Sequence, residues 1–356
     1  MSVYKPRIIV VGAGIIGAAI TYHLAMMGGE VVLIDERSQP GGGVTGQSFG
    51  WINVINGTPG DRAYILWREA IEEYRRLKSV LPEALAEARK GSLLWKATPE
   101  QTEEFGNLHK LAGEDVTLLE GRAIAEMEPC LRRVPELAVY SPRDLAVDPA
   151  RLAAVFVSAA VTAGASARLG GKVASVETCN GRVTGVKFAD DVIKADVVVL
   201  AAGASISTLT GELGIDTGIA VSPALLLRYF CSAPFISHIL RSPQLEVRQA
   251  GNNMLMVAKS YVDDGDVNGP STIGKRMLEV IRDELDLPGD TAMATATIGG
   301  RPTFPDGMPR VGFLPQMTGL YIAGGHPGVI LAPLIGRLAA EEILTGKRTA
   351  LIPTPL

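Results

Sequence analysis

The segment "RIIVVGAGIIGAAITYHLAMMGGEVVLIDE", residues 7–36, constrains the fold of this chain more than any other stretch. The β-branched run at 7–11 has the character of a strand buried on both faces, and so does "EVVLIDE" at 30–36. Residues 15–28 between them read as a helix, which makes a βαβ unit. The turn sets Gly12, Gly14 and Gly17 in the pattern GxGxxG. The first glycine permits a tight turn, the second lets a pyrophosphate approach the backbone, and the third lets helix and strand pack closely. Ile15 and Ile16 open the helix, whose first-turn amides and partial positive charge suit phosphates. An acidic residue should close the second strand and hold a ribose hydroxyl. Asp35 stands there, eighteen residues after Gly17, with Glu36 adjacent. The turn is common to NAD and FAD sites.

The chain beyond residue 36 favours FAD. An NAD dehydrogenase continues with βα units, whereas this chain enters "RSQPGGGVTGQSFGWIN", too glycine-rich to be regular and too long for a mere connector. Beyond it, "DRAYILWREAIEEYRRLKSVL" is an amphipathic helix. Thr98 and Gln101 form a capping box, and Asp148-Pro149 opens another helix. Asn180-Gly181 marks a hairpin, "DVVVLAAGA" a second buried parallel strand ending in glycine, and "LEVRQAGNNMLMVAK" another hairpin. "YIAGGHPGVILAP" at 321–333 repeats the grammar of the first turn: strand, glycines, helix start.

At 356 residues the chain exceeds one ordinary core, so two packed domains are expected. βαβ and strand-rich segments are interleaved, which makes each domain discontinuous. Residues 1–85, 146–217 and 302–356 form the cofactor-binding domain, and 86–145 with 218–301 form the substrate domain. A net charge of −4 gives no footprint for nucleic acid. Cys130, Cys179 and Cys231 form neither a CxxC pair nor a disulfide framework, so a reducing, cytoplasmic setting is expected. No metal-ligand cluster and no uninterrupted apolar run of transmembrane length stands out.

Four segments together resemble the FAD-dependent amino-acid oxidoreductases of the D-amino-acid oxidase superfamily. They are residues 10–36, the "GGGVTGQSFGWIN" loop, "ADVVVLAAGA", and "GGRPTFPDGMPRVGFLP" with "GLYIAGGHPGVILAPLIGRLAAEEI". The group includes glycine oxidase, sarcosine oxidase, D-amino-acid dehydrogenase and the small flavin subunits of opine and hydroxyproline dehydrogenases. The resemblance implies a mixed α/β fold: a Rossmann-like FAD-binding domain of glutathione-reductase-2 type, with a second, antiparallel-sheet substrate domain. It implies FAD extended between the two glycine turns, with Asp35 at the ribose. Gly43, Thr45, Gly46 and Ser48 would run along the pyrophosphate towards the isoalloxazine. Val173 would meet adenine, and Ala202 and Gly203 would close that side. Gly325, His326, Gly328, Val329, Ile330 and Leu331 would lie at the flavin pyrimidine, where a helix N-terminus favours the negative charge of the reduced ring. The early loop contains no histidine or cysteine, so the FAD is expected to be noncovalent.

Arg301 occupies the family position whose arginine binds the substrate carboxylate, a task suited to its two parallel donors. The competing reading is an ordinary salt bridge. His326 stands in a turn where glycine oxidase-like sequences carry an arginine; it either hydrogen-bonds flavin or substrate, or is satisfied by backbone. Tyr229, Arg248, Lys259 and Tyr261 fall in the substrate domain. Arg248 is a candidate for a second carboxylate, Lys259 for oxygen activation, and Trp51 for a wall of the flavin pocket. The expected activity is oxidation of the C–N bond of an amino acid or N-substituted amino acid to an imine. Two alternatives stand beside it: 2-hydroxy-acid oxidation on the same fold, and a flavin-carrying subunit with partner subunits in a hetero-oligomer. The short ending "TALIPTPL" suits the latter.

Overall fold

A computed structural model describes residues 5–261 and 268–355. Its first sheet has six strands in the order Arg310–Phe313, Leu320–Gly324, Val197–Leu200, Arg7–Val11, Glu30–Asp35, Ser166–Leu169. All neighbours are parallel except Arg310–Phe313, which runs antiparallel to Leu320–Gly324. Alternation along the strands explains why the sequence reads as unbroken hydrophobic runs. Ile8 and Val10 face a helical layer, while Ile9 and Val11 face a three-stranded meander (Val173–Cys179, Arg182–Phe188, Asp191–Lys194). The meander turns at Asn180 and Gly181, both at positive φ, as the Asn-Gly signal predicts.

The helices Ile15–Met26 and Gly328–Thr345 lie against each other on the first sheet. They approach so closely that a Cβ on Gly336 would stand 2.7 Å from the Ala19 carbonyl oxygen. Each follows one of the two glycine turns. Pro333 lies inside the last helix and has no N–H for the carbonyl four residues back, that of Val329. Tyr74, buried on the helix Arg62–Val80, donates its hydroxyl to that carbonyl instead. Burial pushes the Tyr74 pKa up, so the hydroxyl keeps its proton. Tyr74→Phe should therefore lower stability by about 1–3 kcal/mol, the cost of an orphaned buried carbonyl. Urea unfolding checks this, and an unchanged midpoint would show that the carbonyl has another donor.

The second sheet has nine strands. From one edge these are Ala292–Thr303, Ala220–Phe230, Met254–Ser260, Glu246–Ala250, Ile239–Arg241, Arg89–Leu94, Leu137–Ala146 and Trp51–Ile52, with Thr117–Glu120 also paired to Leu137–Ala146. Leu227, Val247, Leu255 and Val257 pack with Met277 and Ile281 of the helix Pro270–Glu284. The opposite face looks towards the first sheet. Trp51–Ile52, which sequence grouping places with the cofactor-binding segments, pairs instead with Leu137–Ala146 in this second sheet.

Candidate active site

Three consecutive parallel strands of the first sheet end at one edge. Gly12 follows Arg7–Val11, Ala201–Gly203 follow Val197–Leu200, and Gly325 follows Leu320–Gly324. A crevice beyond the carboxyl ends of parallel strands is where open α/β sheets bind ligands. Here it is a cavity of about 720 Å³, lined by residues of both sheets.

At one end lie Gly12, Gly14, Ile15 and Ile16, with Asp35 and Glu36 beyond them. Asp35 is already oriented: one carboxylate oxygen accepts from the Ala13 N–H and the other from the Arg37 N–H. Each oxygen keeps a further lone pair for a ligand hydroxyl. Glu36 makes a surface ion pair with Arg37 at 3.6 Å. The early loop folds back on the helix start, where the buried Thr45 hydroxyl accepts from the Ile15 N–H at 3.0 Å. A Cβ on Gly14 would come within 3.3 Å of that hydroxyl oxygen. Gly43, Thr45 and Ser48 line the cavity, as do Val173, Ala202 and Gly203. At the late turn the lining continues through Gly325, His326, Gly328, Val329 and Ile330. Gly325 is at φ +138°, and a Cβ there would lie 2.6 Å from Pro309 Cα.

These residues fit FAD. An oriented acid ends the second strand, two helix N-termini open on one cavity, and no histidine or cysteine of the early loop offers a covalent anchor. The first turn could hold the pyrophosphate, Asp35 the ribose, and the His326–Ile330 turn the pyrimidine edge.

Three residues expected at the cofactor lie elsewhere. Gly17 is outside the lining, because it packs the helix onto its own turn: a Cβ would be 1.9 Å from the Gly12 carbonyl oxygen. Gly46 presents its carbonyl to Arg228 at 2.6 Å, away from the cavity. Leu331 is fully buried in the core beneath the helix.

Arg301 reaches the cavity wall from the edge strand of the second sheet. Its contacts are neutral and long: the Ser222 hydroxyl at 3.2 Å, and the Ser222 and Pro223 carbonyls at 3.5 Å each. Among the described residues no carboxylate pairs with it, so the salt-bridge alternative has no partner there. His326 opens on the same cavity. Burial, and then the charge of Arg301, push its pKa down to about 4, which keeps the imidazole neutral at neutral pH.

The other candidates are occupied. Arg248 gives its donors to the Phe49, Gln249 and Val147 carbonyls at 2.6, 3.2 and 2.9 Å, and burial pushes its pKa down to about 10. It ties the early loop to the sheet and does not line the cavity. Ala258 takes the cavity-facing position, so Lys259 continues the opposite face, that of Leu255 and Val257. Tyr229 is fully buried and donates to the Gly274 carbonyl at 2.8 Å, and Tyr261 is buried in the same core. Trp51 does wall the cavity. Its indole N–H donates to Asp144 at 2.8 Å, and that buried carboxylate also accepts from Ser92 and Ser141 at 2.6 and 2.8 Å. Burial outweighs these bonds and pushes the Asp144 pKa up to about 6.

The sequence gives no sign of four further polar residues that line the cavity near Trp51: Asn53, Asn56, Arg241 and Glu246. Asn53 ends the early glycine-rich segment but carries no expected role, Asn56 follows in the loop beyond it, and the register of the second sheet brings Arg241 and Glu246 to the same place.

Residues 7–342 match the family described as FAD dependent oxidoreductase. The chain is 26% identical to a glycine oxidase of Pseudomonas putida, over 98% of this chain and 97% of that one. Among solved structures it superposes on the glycine oxidase of Bacillus cereus with a TM-score of 0.84 at 22% identity, covering 98% and 97% of the two chains. An iminodiacetate oxidase from a Chelativorans species gives a TM-score of 0.83 at 22% identity, covering 98% and 99%. With the family match spanning nearly the whole chain and cavity-lining residues that fit its cofactor, this chain belongs to the FAD-dependent oxidoreductases of the D-amino-acid oxidase family.

Proposed function

We propose that the protein oxidises the C–N bond of an amino acid or N-substituted amino acid to an imine, which water then converts to an oxo acid and an amine. FAD, when bound, supplies the two-electron acceptor. The observation that carries this reading is Arg301, a cation on the cavity wall with long, neutral contacts and no carboxylate partner among the described residues. A substrate carboxylate would complete its fork and fix the adjacent carbon in one place. His326, neutral at working pH, can accept a hydrogen bond from the substrate amine without competing as a second cation. Trp51, held by Asp144, closes one wall against water. Glycine oxidase and iminodiacetate oxidase, whose folds this chain shares, act in their names on such amines.

The test is anaerobic bleaching of the bound flavin with a panel of amino acids, N-alkyl amino acids and 2-hydroxy acids, with oxygen then readmitted. Bleaching by amines alone supports the reading. Bleaching by hydroxy acids alone overturns it in favour of alcohol oxidation. The oxygen step separates oxidase from dehydrogenase, and turnover by the isolated chain decides against obligatory partner subunits. No helix of the described residues is long and apolar enough to cross a membrane. With three unpaired cysteines, that fits the cytoplasmic placement we propose.

A further inference from the structure

We infer that Arg241 forms a second anion-binding subsite in the cavity, so that the substrate is an amino acid carrying a second carboxylate some distance from the reacting carbon. This rests on the assignment of Arg301 to the first carboxylate.

Arg228, Arg241 and Arg248 come from three strands of the second sheet, those of Arg241 and Arg248 adjacent, and their donors are used differently. Arg228 bonds the Gly46 carbonyl, and Arg248 is spent on three carbonyls. Arg241 alone of the three lines the cavity. One of its terminal nitrogens donates to Asn56 Oδ1, and Asn56 is set in place by its own N–H donating to Asn53 Oδ1 at 3.0 Å. Its pairing with Glu246 is loose, at 3.7 Å from Nε to Oε2, beyond hydrogen-bond reach. By contrast, Arg337 meets Glu73 at 2.7 Å. Asn56 thus aims the guanidinium while leaving donors for a ligand.

The local charge has the required sign. Lys96 lies near enough to Arg241 that the arginine's charge adds to burial in lowering the lysine's pKa. Burial raises the pKa of Glu246, against the pull of the Arg241 charge, and Glu246 is the one carboxylate paired with Arg241 among the described residues. A second substrate anion would be favoured here.

Spacing selects the ligand's shape. Arg301 and Arg241 lie on strands four steps apart in the sheet order, at about 4.8 Å per step, and the register sets Arg241 level with Thr297, four residues before Arg301. Even with two long side chains reaching inwards, a lone small carboxylate cannot touch both. The separation calls for an elongated amino-dicarboxylate.

The experiment uses the FAD-loaded protein and inert acids, so no turnover is needed. Glutarate, adipate and butyrate are titrated while the flavin spectrum or heat is monitored. The longer diacids should bind at least about tenfold more tightly than butyrate, the effect of one charge-assisted contact. R241Q should erase that difference and leave butyrate within about twofold, while R241K should keep part of it. Equal binding of mono- and diacids by the wild type overturns the subsite, as does R241Q weakening all three acids alike. If R241Q does not load FAD, the wild-type comparison and R241K decide. Persistent diacid preference without bleaching by any amine would refute the amine-oxidation reading and leave the subsite standing.

Discussion

Arg301→Ala is expected to lower kcat/KM for the amine substrate by about 10²–10⁴-fold while FAD stays bound. A bidentate guanidinium–carboxylate contact consists of two charge-assisted hydrogen bonds, each worth about 1.5–3 kcal/mol, and losing both gives that range. The fold should tolerate the change, because Arg301 makes only long contacts, to Ser222 and Pro223 on the neighbouring strand. Arg301→Lys keeps the charge but not the fork, so its loss should be intermediate. His326 gives a second readout. Its pKa is held near 4 by burial first and by the Arg301 charge second, so removing the charge should raise it while burial keeps it below the ordinary value of 6.5. Imidazole titration by NMR measures that rise. With His326 neutral from pH 6 upwards in the wild type, the pH profile above 6 should track the substrate ammonium, and His326→Gln should leave its midpoint in place. Unchanged kinetics in Arg301→Ala would end the assignment.

The first glycine turn was legible because everything it needs lies within one βαβ unit. Gly12, Gly14, Asp35 and the helix they surround are neighbours in sequence as well as in space. The late turn was legible as far as Ile330 and no further. One residue on, Leu331 has rotated with the helix into the core, a step that a motif does not resolve. Gly17 and Gly46 show a related limit, since a glycine in a binding motif can serve packing or present a carbonyl while never meeting the ligand.

The substrate side was much less legible, and strand geometry explains why. Glu246 and Arg248 are two residues apart on one strand and so share a face. Glu246 lines the cavity, whereas Arg248 lies where the early loop covers the sheet, and the Phe49 carbonyl takes its donor. Arg248 looked like the better candidate in a linear reading only because the loop's position could not be known. Arg241 sits at the end of a three-residue strand without any pattern, and its place across from Glu246 exists only in the register. Lys259 misses the cavity by one residue, which on a strand means the other face.

Gly12→Ala is expected to abolish FAD binding and to destabilise the protein well beyond the cost of its backbone conformation, and Gly164→Ala supplies the measure of that cost. Both glycines have nearly the same φ, +108° at Gly12 and +105° at Gly164. A Cβ at Gly164 would meet nothing within 4 Å, so its substitution should cost only the left-handed penalty of about 1–2 kcal/mol and leave FAD stoichiometric. A Cβ at Gly12 would stand 2.6 Å from the Ala201 carbonyl oxygen and 2.9 Å from Ala202 Cα. That backbone belongs to the turn after the strand Val197–Leu200, which is hydrogen-bonded to Arg7–Val11 and cannot rotate aside as a side chain would. Relief of the overlap must separate the ends of two adjacent strands, and Gly12, Ala201 and Ala202 all line the cavity at that point. Urea unfolding of the two variants, with the FAD content of each purified protein, makes the comparison. Equal destabilisation with full FAD in both would show that the first turn is tight without being a cofactor cradle.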